Sequence, residues 1–165
     1  MIRPATIEDA SAIQAIYNPY ITDTIITFEE EAVSIDEIKS RIESILSQGY
    51  PYIVYQDPET KQILGYAYSS QFRTRNAYRF TTESTVYLVN DPKVHGKGIG
   101  TLLYKRLIEE CRNRGYHSIL GVVALPNEAS ARLHEKLGFM KCCHLRDSGF
   151  KFGKWVDVGF WELLL

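Results

Sequence analysis

Three stretches of the chain repeat apolar residues at the spacing of a helix face. The first is Ile7, Ala10, Ile13, Ile16 and Tyr17; the second Ile35, Ile38, Ile42 and Ile45; the third Ile99, Leu102, Leu103, Leu107 and Cys111. A period near 3.6 predicts amphipathic helices with those positions buried. Start and stop signals agree. Thr6 with Asp9, and Ser34 with Glu37, read as N-terminal caps, while Gly49 and Gly115 read as terminators. A fourth helix is expected in NEASARLHEKLGF, capped by Asn127 and stopped by Gly138.

Between the helices the pattern changes to strands. MIRPAT suggests a short first strand, and YPYIVYQ and QILGYAYSS, joined by the turn sequence DPET, read as a hairpin. ESTVYLVN, from Glu83 to Asn90, is a third long β-rich segment. SILGVVAL is a continuous apolar run, as expected for a strand buried on both faces. KCCHLRDS and KWVDVGFWELLL supply two last strands. The order β-α-α-β-β-β-α-β-α-β-β predicts an α/β fold, one mixed central sheet flanked by helices. No repeat or linker interrupts it, so residues 1–165 read as one domain.

Composition narrows the function. Hydrophobic residues make up 45% and charged residues 24% of 165, and the net charge of −1 leaves no global basic field for nucleic acid or a membrane surface. The opening MIRPATIEDA is neither a signal peptide nor a membrane span. Cys111, Cys142 and Cys143 form no CxxC, so neither a disulfide framework nor a metal site is expected. All three read as buried structural residues in a reducing, cytoplasmic setting.

The chemistry concentrates in HGKGIGTLLYKRL. Glycines at 96, 98 and 100 free the backbone to bend and approach a ligand, and the start of a helix suits an anion such as phosphate. A P-loop needs GxxxxGK followed by Ser or Thr; here Gly98 follows Lys97 and position 91 is Asp. A dinucleotide fingerprint needs GxGxxG early in a βαβ unit and an acid ending the next strand, and neither is present.

A third pattern fits more of the chain. His95, Gly98 and Gly100 approximate Q/R-x-x-G-x-G/A between a strand and a helix, and the sequence resembles the GNAT superfamily of N-acetyltransferases. RNAYRFTTESTVYLV, LPNEASARLHEKLGF and KFGKWVDVGFW resemble its phosphinothricin N-acetyltransferase subfamily, as do IRPAT, IYNPYI and TFEEE.

That resemblance implies a set of roles. His95, Gly96, Lys97, Gly98, Ile99, Gly100 and Thr101 would hold the pyrophosphate of acetyl-CoA, with Lys97 either a point charge beside it or a solvated lysine. Glu83 would take the proton of the attacking amine, directly or through water. Main-chain groups of Val86, Tyr87 and Leu88, turned by a bulge, would face the thioester and stabilise charge on its oxygen. Either His134 or Tyr104 would protonate the leaving thiolate. Asn127 and Ser130 would hydrogen-bond the amides of the cofactor, Asn127 also serving as a helix cap. Arg73, Arg75 and Tyr78 would surround an anionic amino acid, with Phe28 and Ala124 as apolar walls.

The expected reaction is acetylation of the α-amine of a small amino acid or analogue such as phosphinothricin or methionine sulfoximine, in one ternary complex and without a metal. The alternatives are acetylation of a protein N-terminus, a lysine or a polyamine, or an acetyl-CoA-binding sensor without turnover. The apolar DVGFWELLL reads either as a homodimer edge or as a strand buried in its own sheet.

Overall fold

The computed structural model describes residues 1–92, 94 and 96–165, so His95 lies outside the described residues. The elements follow the expected order: β1 (Ile2–Pro4), α1 (Ala10–Asp23), α2 (Ile35–Ser47), β2 (Tyr52–Gln56), β3 (Ile63–Gln71), β4 (Thr81–Leu88), α3 (Ile99–Asn113), β5 (Ser118–Leu125), α4 (Glu128–Lys136), β6 (Met140–Lys151) and β7 (Lys154–Leu164). Short 3-10 turns at Ile7–Asp9 and Asn76–Tyr78 precede α1 and β4. The Ser34 hydroxyl accepts the Glu37 N–H at 3.1 Å, and the Asn127 side chain accepts the Ser130 N–H at 3.1 Å, so both helices start where their caps stand.

The strands form one seven-stranded sheet in the order β1-β2-β3-β4-β5-β7-β6. Alternation along the strands sends successive residues to opposite faces and builds two cores. Tyr52, Val54 and Tyr66 pack against Ile13, Ile16 and Ile21 of α1 and Ile38 and Ile42 of α2. Ile53, Ala67, Ile119 and Val123 pack against Leu103, Tyr104, Leu107 and Cys111 of α3, with Phe139 and Trp161.

Four local expectations are corrected. Leu102 is 51% exposed, because the buried stripe of α3 follows Ile99, Leu103, Leu107 and Cys111 together with Gly100, Tyr104 and Ile108. Of the three cysteines, Cys111 is buried, but Cys142 and Cys143 are exposed on β6, an edge strand. The last strand, β7, is no edge: it lies between β5 and β6 and pairs with both. The expected bulge in β4 is also missing. The β3–β4 register runs from Gly65↔Leu88 to Gln71↔Thr82 without a shift.

At the start of the chain, Arg3 grips Asp9 through two hydrogen bonds of 2.8 and 2.7 Å, and the Thr6 N–H adds a third at 2.9 Å. Burial alone would raise the Asp9 carboxyl, but these donors outweigh it and hold its pKa below the usual value. A lowered native pKa makes this stabilisation complete above the unfolded carboxylate value of about 3.9 and removes it as pH falls through the native one. Asp9→Asn is expected to cost about 1–3 kcal/mol at neutral pH and to flatten the acid side of the stability profile, measured by urea denaturation across pH. Among the described residues no helix is long and apolar enough to cross a membrane, and no cluster of three metal-ligating side chains occurs.

Candidate active site

The two cores are joined where the sheet comes apart. β4 and β5 are parallel neighbours, and their register covers Thr81–Ser84 against Ser118–Gly121. Beyond that point β4 continues to Leu88 and β5 to Leu125 without pairing to each other. A cavity of about 290 Å³ occupies the opening.

Alternation decides which side chains reach it from which side. Glu83, Thr85 and Tyr87 share a face with their partners Ser70, Tyr68 and Tyr66, toward α1 and α2. Ser84, Val86 and Leu88 face α3. Glu83, Tyr17, Tyr68 and Phe28 therefore line the cavity from one side of the sheet, while Ser84, Tyr104, Ser130 and His134 line it from the other.

The backbone alternates too. Val89 donates to the Leu64 carbonyl at 2.9 Å, so in this antiparallel ladder Glu83, Thr85 and Tyr87 direct their amide groups at β3. Those of Val86 and Leu88 turn the other way, toward the opening. The Leu88 carbonyl there accepts the Tyr20 hydroxyl at 2.7 Å. Divergence of two strands thus does what the bulge was expected to do.

On the face toward α1, Glu83 is partly buried and has no hydrogen-bond partner among the described residues. Burial raises its pKa above the usual carboxylate value. A carboxylate with a raised pKa and no fixed donor is a competent proton acceptor.

On the other face, Tyr104 is 1% exposed and its hydroxyl lies 2.6 Å from Ser84 Oγ, which donates to the Leu120 carbonyl at 3.0 Å. With the serine proton committed to Leu120, the phenol donates to the serine. Burial raises the Tyr104 pKa, keeping its proton in place.

His134 is held differently. Its Nδ1 lies 2.7 Å from the Ser130 carbonyl, which can only accept, so Nδ1 carries the proton. Nε2 then presents a lone pair to the Gly121 backbone, where a Cβ would lie 2.0 Å from it. Burial lowers the His134 pKa and keeps the ring neutral. The imidazole is wedged among Tyr104, Phe139 and Trp161, with ring centroids 5.1, 5.1 and 5.9 Å away.

The glycine loop supplies a different kind of site. Gly96 and Gly98 take φ of +77° and +78°, conformations suited to residues without a Cβ, and Gly98 caps α3. The first N–H groups of α3, on Ile99, Gly100 and Thr101, have no partner inside the helix. Gly100 lies close against Leu88 and Leu133, with room for a Cβ only at 3.4 and 3.7 Å, which brings the start of α3 beside the end of β4. Lys97 is exposed on the loop. Asn127 and Ser130 line the cavity at the start of α4.

Of the expected substrate residues, Phe28 and Ala124 line the cavity. Arg73, Arg75 and Tyr78 do not; all three are exposed on the β3–β4 connection. Other residues were missed. Ser84 and Gly121 sit inside strand runs that look purely structural, although glycine in a buried strand signals close approach by a neighbour. Lys151, 1% exposed, donates to the Thr27 carbonyl at 2.7 Å and ties the end of β6 to the wall that carries Phe28.

A seven-stranded mixed sheet opened between two parallel strands, with a glycine-capped helix beside the gap, places the chain in one class. It belongs to the GNAT acetyltransferase family: the acetyltransferase (GNAT) domain model matches residues 2–159, and the chain is an acetyltransferase. Within the family it is 39% identical to the phosphinothricin N-acetyltransferase of Streptomyces coelicolor, over 98% of this chain and 94% of that one. It is 35% identical to the L-methionine sulfoximine/L-methionine sulfone acetyltransferase of Pseudomonas aeruginosa, over 99% and 94%. Its fold matches the crystal structure of a phosphinothricin acetyltransferase from Sinorhizobium meliloti in complex with AcCoA, with a TM-score of 0.94, 36% identity, and coverage of 100% and 88%.

Proposed function

We propose that the protein transfers the acetyl group of acetyl-CoA directly to the α-amine of a small amino acid or analogue of the phosphinothricin and methionine sulfoximine type. One observation carries this reading. A proton acceptor, Glu83, and a proton donor, Tyr104, reach the same cavity from opposite faces of the sheet. The names of the relatives, and a neighbour crystallised with acetyl-CoA, support the choice of substrates.

The residues fit the nucleotide by their donor set. The positive-φ glycines and the free N–H groups of Ile99, Gly100 and Thr101 match a pyrophosphate, and Lys97 adds charge from the loop. Asn127 and Ser130 stand where the arm of the molecule would pass. Bound there, acetyl-CoA supplies a thioester carbonyl as the electrophile. Glu83 accepts the amine proton. The inward amide groups of Val86 and Leu88 donate to the carbonyl oxygen as charge grows on it. Tyr104 turns its hydroxyl from Ser84 to donate its proton to the departing sulfur, and regains a proton from solvent after the products leave. His134, neutral and protonated at Nδ1, has no proton at Nε2 to give, and in this reading packs the site rather than acting as an acid.

A thiol-release assay with acetyl-CoA against phosphinothricin, methionine sulfone, a polyamine and an N-terminal peptide tests this reading. Turnover on the amino acid analogues is expected, and selective turnover on the peptide or polyamine would replace it. Thiol release with none of them, despite acetyl-CoA binding, would identify a sensor.

The three free cysteines suit a reducing, cytoplasmic setting. We place self-association on the turn end of the β6–β7 hairpin rather than on the DVGFWELLL part of β7, because Phe150, Phe152 and Trp155 there are 55, 55 and 64% exposed. Trp155→Glu is expected to convert a dimer to a monomer in sedimentation velocity.

A further inference from the structure

Of the twelve residues of β6 only two, Gly149 and Lys151, are buried. They lie two apart, on one face of the strand, while Phe150 between them and Phe152 beyond are both more than half exposed. We propose that Gly149 and Lys151 are positioning residues for Phe28, and that this end of β6 thereby fixes the apolar wall on which the side-chain stem of the amine lies. The inference rests on the proposed transfer reaction and assigns to it two residues that do not themselves line the cavity.

What covers them is the connection between α1 and α2, residues 24–34, which forms neither helix nor strand. Such a segment holds a side chain in place only where it is tied down. The ties fall on either side of Phe28. Thr27 Oγ1 lies 2.8 Å from the Tyr17 hydroxyl, and the Lys151 ammonium donates to the Thr27 carbonyl at 2.7 Å. Glu29 accepts from Arg41 at 2.6 and 3.1 Å and from the Tyr17 hydroxyl at 2.9 Å. Phe28 stands between these two anchored residues and lines the same cavity as Glu83.

Gly149 fixes the ring itself. A Cβ at this position would lie 2.3, 2.4 and 2.8 Å from Cζ, Cε2 and Cε1 of Phe28. Gly149 is not among the residues with positive φ, so no turn demands a glycine here; the approach of the ring does. The ring thus leans on main chain, a surface with no rotamers to yield. Behind it Lys151, 1% exposed, holds the backbone with a charged donor, and the nearby Glu29 and Glu30 favour that charge. A phenyl wall held in this way contacts methylene groups whatever lies at the end of the side chain. It therefore suits an anionic phosphinate and a neutral sulfone alike.

The test begins with Gly149→Ala. The ring must shift by about 1 Å to regain ordinary contact at about 3.5–4 Å, and at 41% exposure it has room to do so without unfolding the chain. In thiol-release assays the KM for methionine sulfone and for phosphinothricin is expected to rise roughly three- to tenfold, with kcat and the acetyl-CoA dissociation constant changed by less than about twofold. Lys151→Met keeps the stem, removes the donor and is expected to do the same. The deciding readout is the Phe28→Ala background, where neither substitution has a ring left to move. There both are expected to leave KM within about twofold of Phe28→Ala alone. Losses that multiply on that background, or an amine KM that moves in neither variant while the wild type turns over, overturn the positioning role and leave the transfer reading standing. If the wild type acetylates no amino acid, the transfer reading itself falls, and this one with it.

Discussion

Glu83→Gln is expected to lower kcat by about 10²- to 10³-fold while the dissociation constant for acetyl-CoA stays the same, because a positioned general base contributes on that order. The sign of the pH dependence follows from burial. The carboxyl pKa is raised, and only the ionised form accepts a proton, so kcat/KM falls as pH drops through a value above the ordinary carboxylate range. In the variant that acidic limb disappears. Stability should move the other way. A carboxyl whose native pKa is raised favours the folded state only at low pH and disfavours it once ionised. The glutamine variant is therefore expected to be no less stable than the wild type at neutral pH, its relative stability growing as pH rises from the acid side through the raised pKa and then levelling off. A pH–rate profile and a denaturation series on the same two proteins check both halves. A base-catalysed reaction with an unchanged acidic limb in Glu83→Gln would assign the role elsewhere.

Gly121→Ala is the second substitution with a large expected effect. The added methyl would sit 2.0 Å from His134 Nε2 and 2.4 Å from its Cδ2. The ring has nowhere to go, enclosed by Tyr104, Phe139 and Trp161 and tethered to Ser130. Overpacking of this kind costs about 1–3 kcal/mol, which lowers Tm by roughly 3–10 °C in a chain of this size. Calorimetry measures it. Combining Gly121→Ala with His134→Ser is expected to recover part of the loss, since the double variant trades the clash for a smaller side chain. Additive losses would mean that the two positions do not meet.

Much of this was legible in the residues because it is local. Helical spacing and caps at Ser34 and Asn127 marked the helices, and β-rich runs marked the strands in their observed order. The glycine loop announced itself through three residues that no ordinary helix start requires. Glu83 stood out as a carboxylate beginning an otherwise β-rich run. What escaped depends on contacts between distant segments. Nothing within KWVDVGFWELLL tells that it inserts between β5 and the strand before it, which is why an edge was expected where the sheet is continuous. The opening beside β4 was expected from a bulge, yet two strands parting without a register shift leave no mark in either sequence. The commitment of the His134 proton depends on a carbonyl one helical turn back, and our proposal of Tyr104 as the proton donor rests on that single bond.

Among the described residues only four pairs stitch the first four strands to the last three. The sheet is accordingly two leaves meeting at a short spine. In the proposed reaction the base, Glu83, reaches the cavity from one side of that spine and the proton donor, Tyr104, from the other. Under that reading, changes to Tyr17, Phe28 and Tyr68 on the one side would alter amine preference while Ser84 and Tyr104 on the other stay as they are.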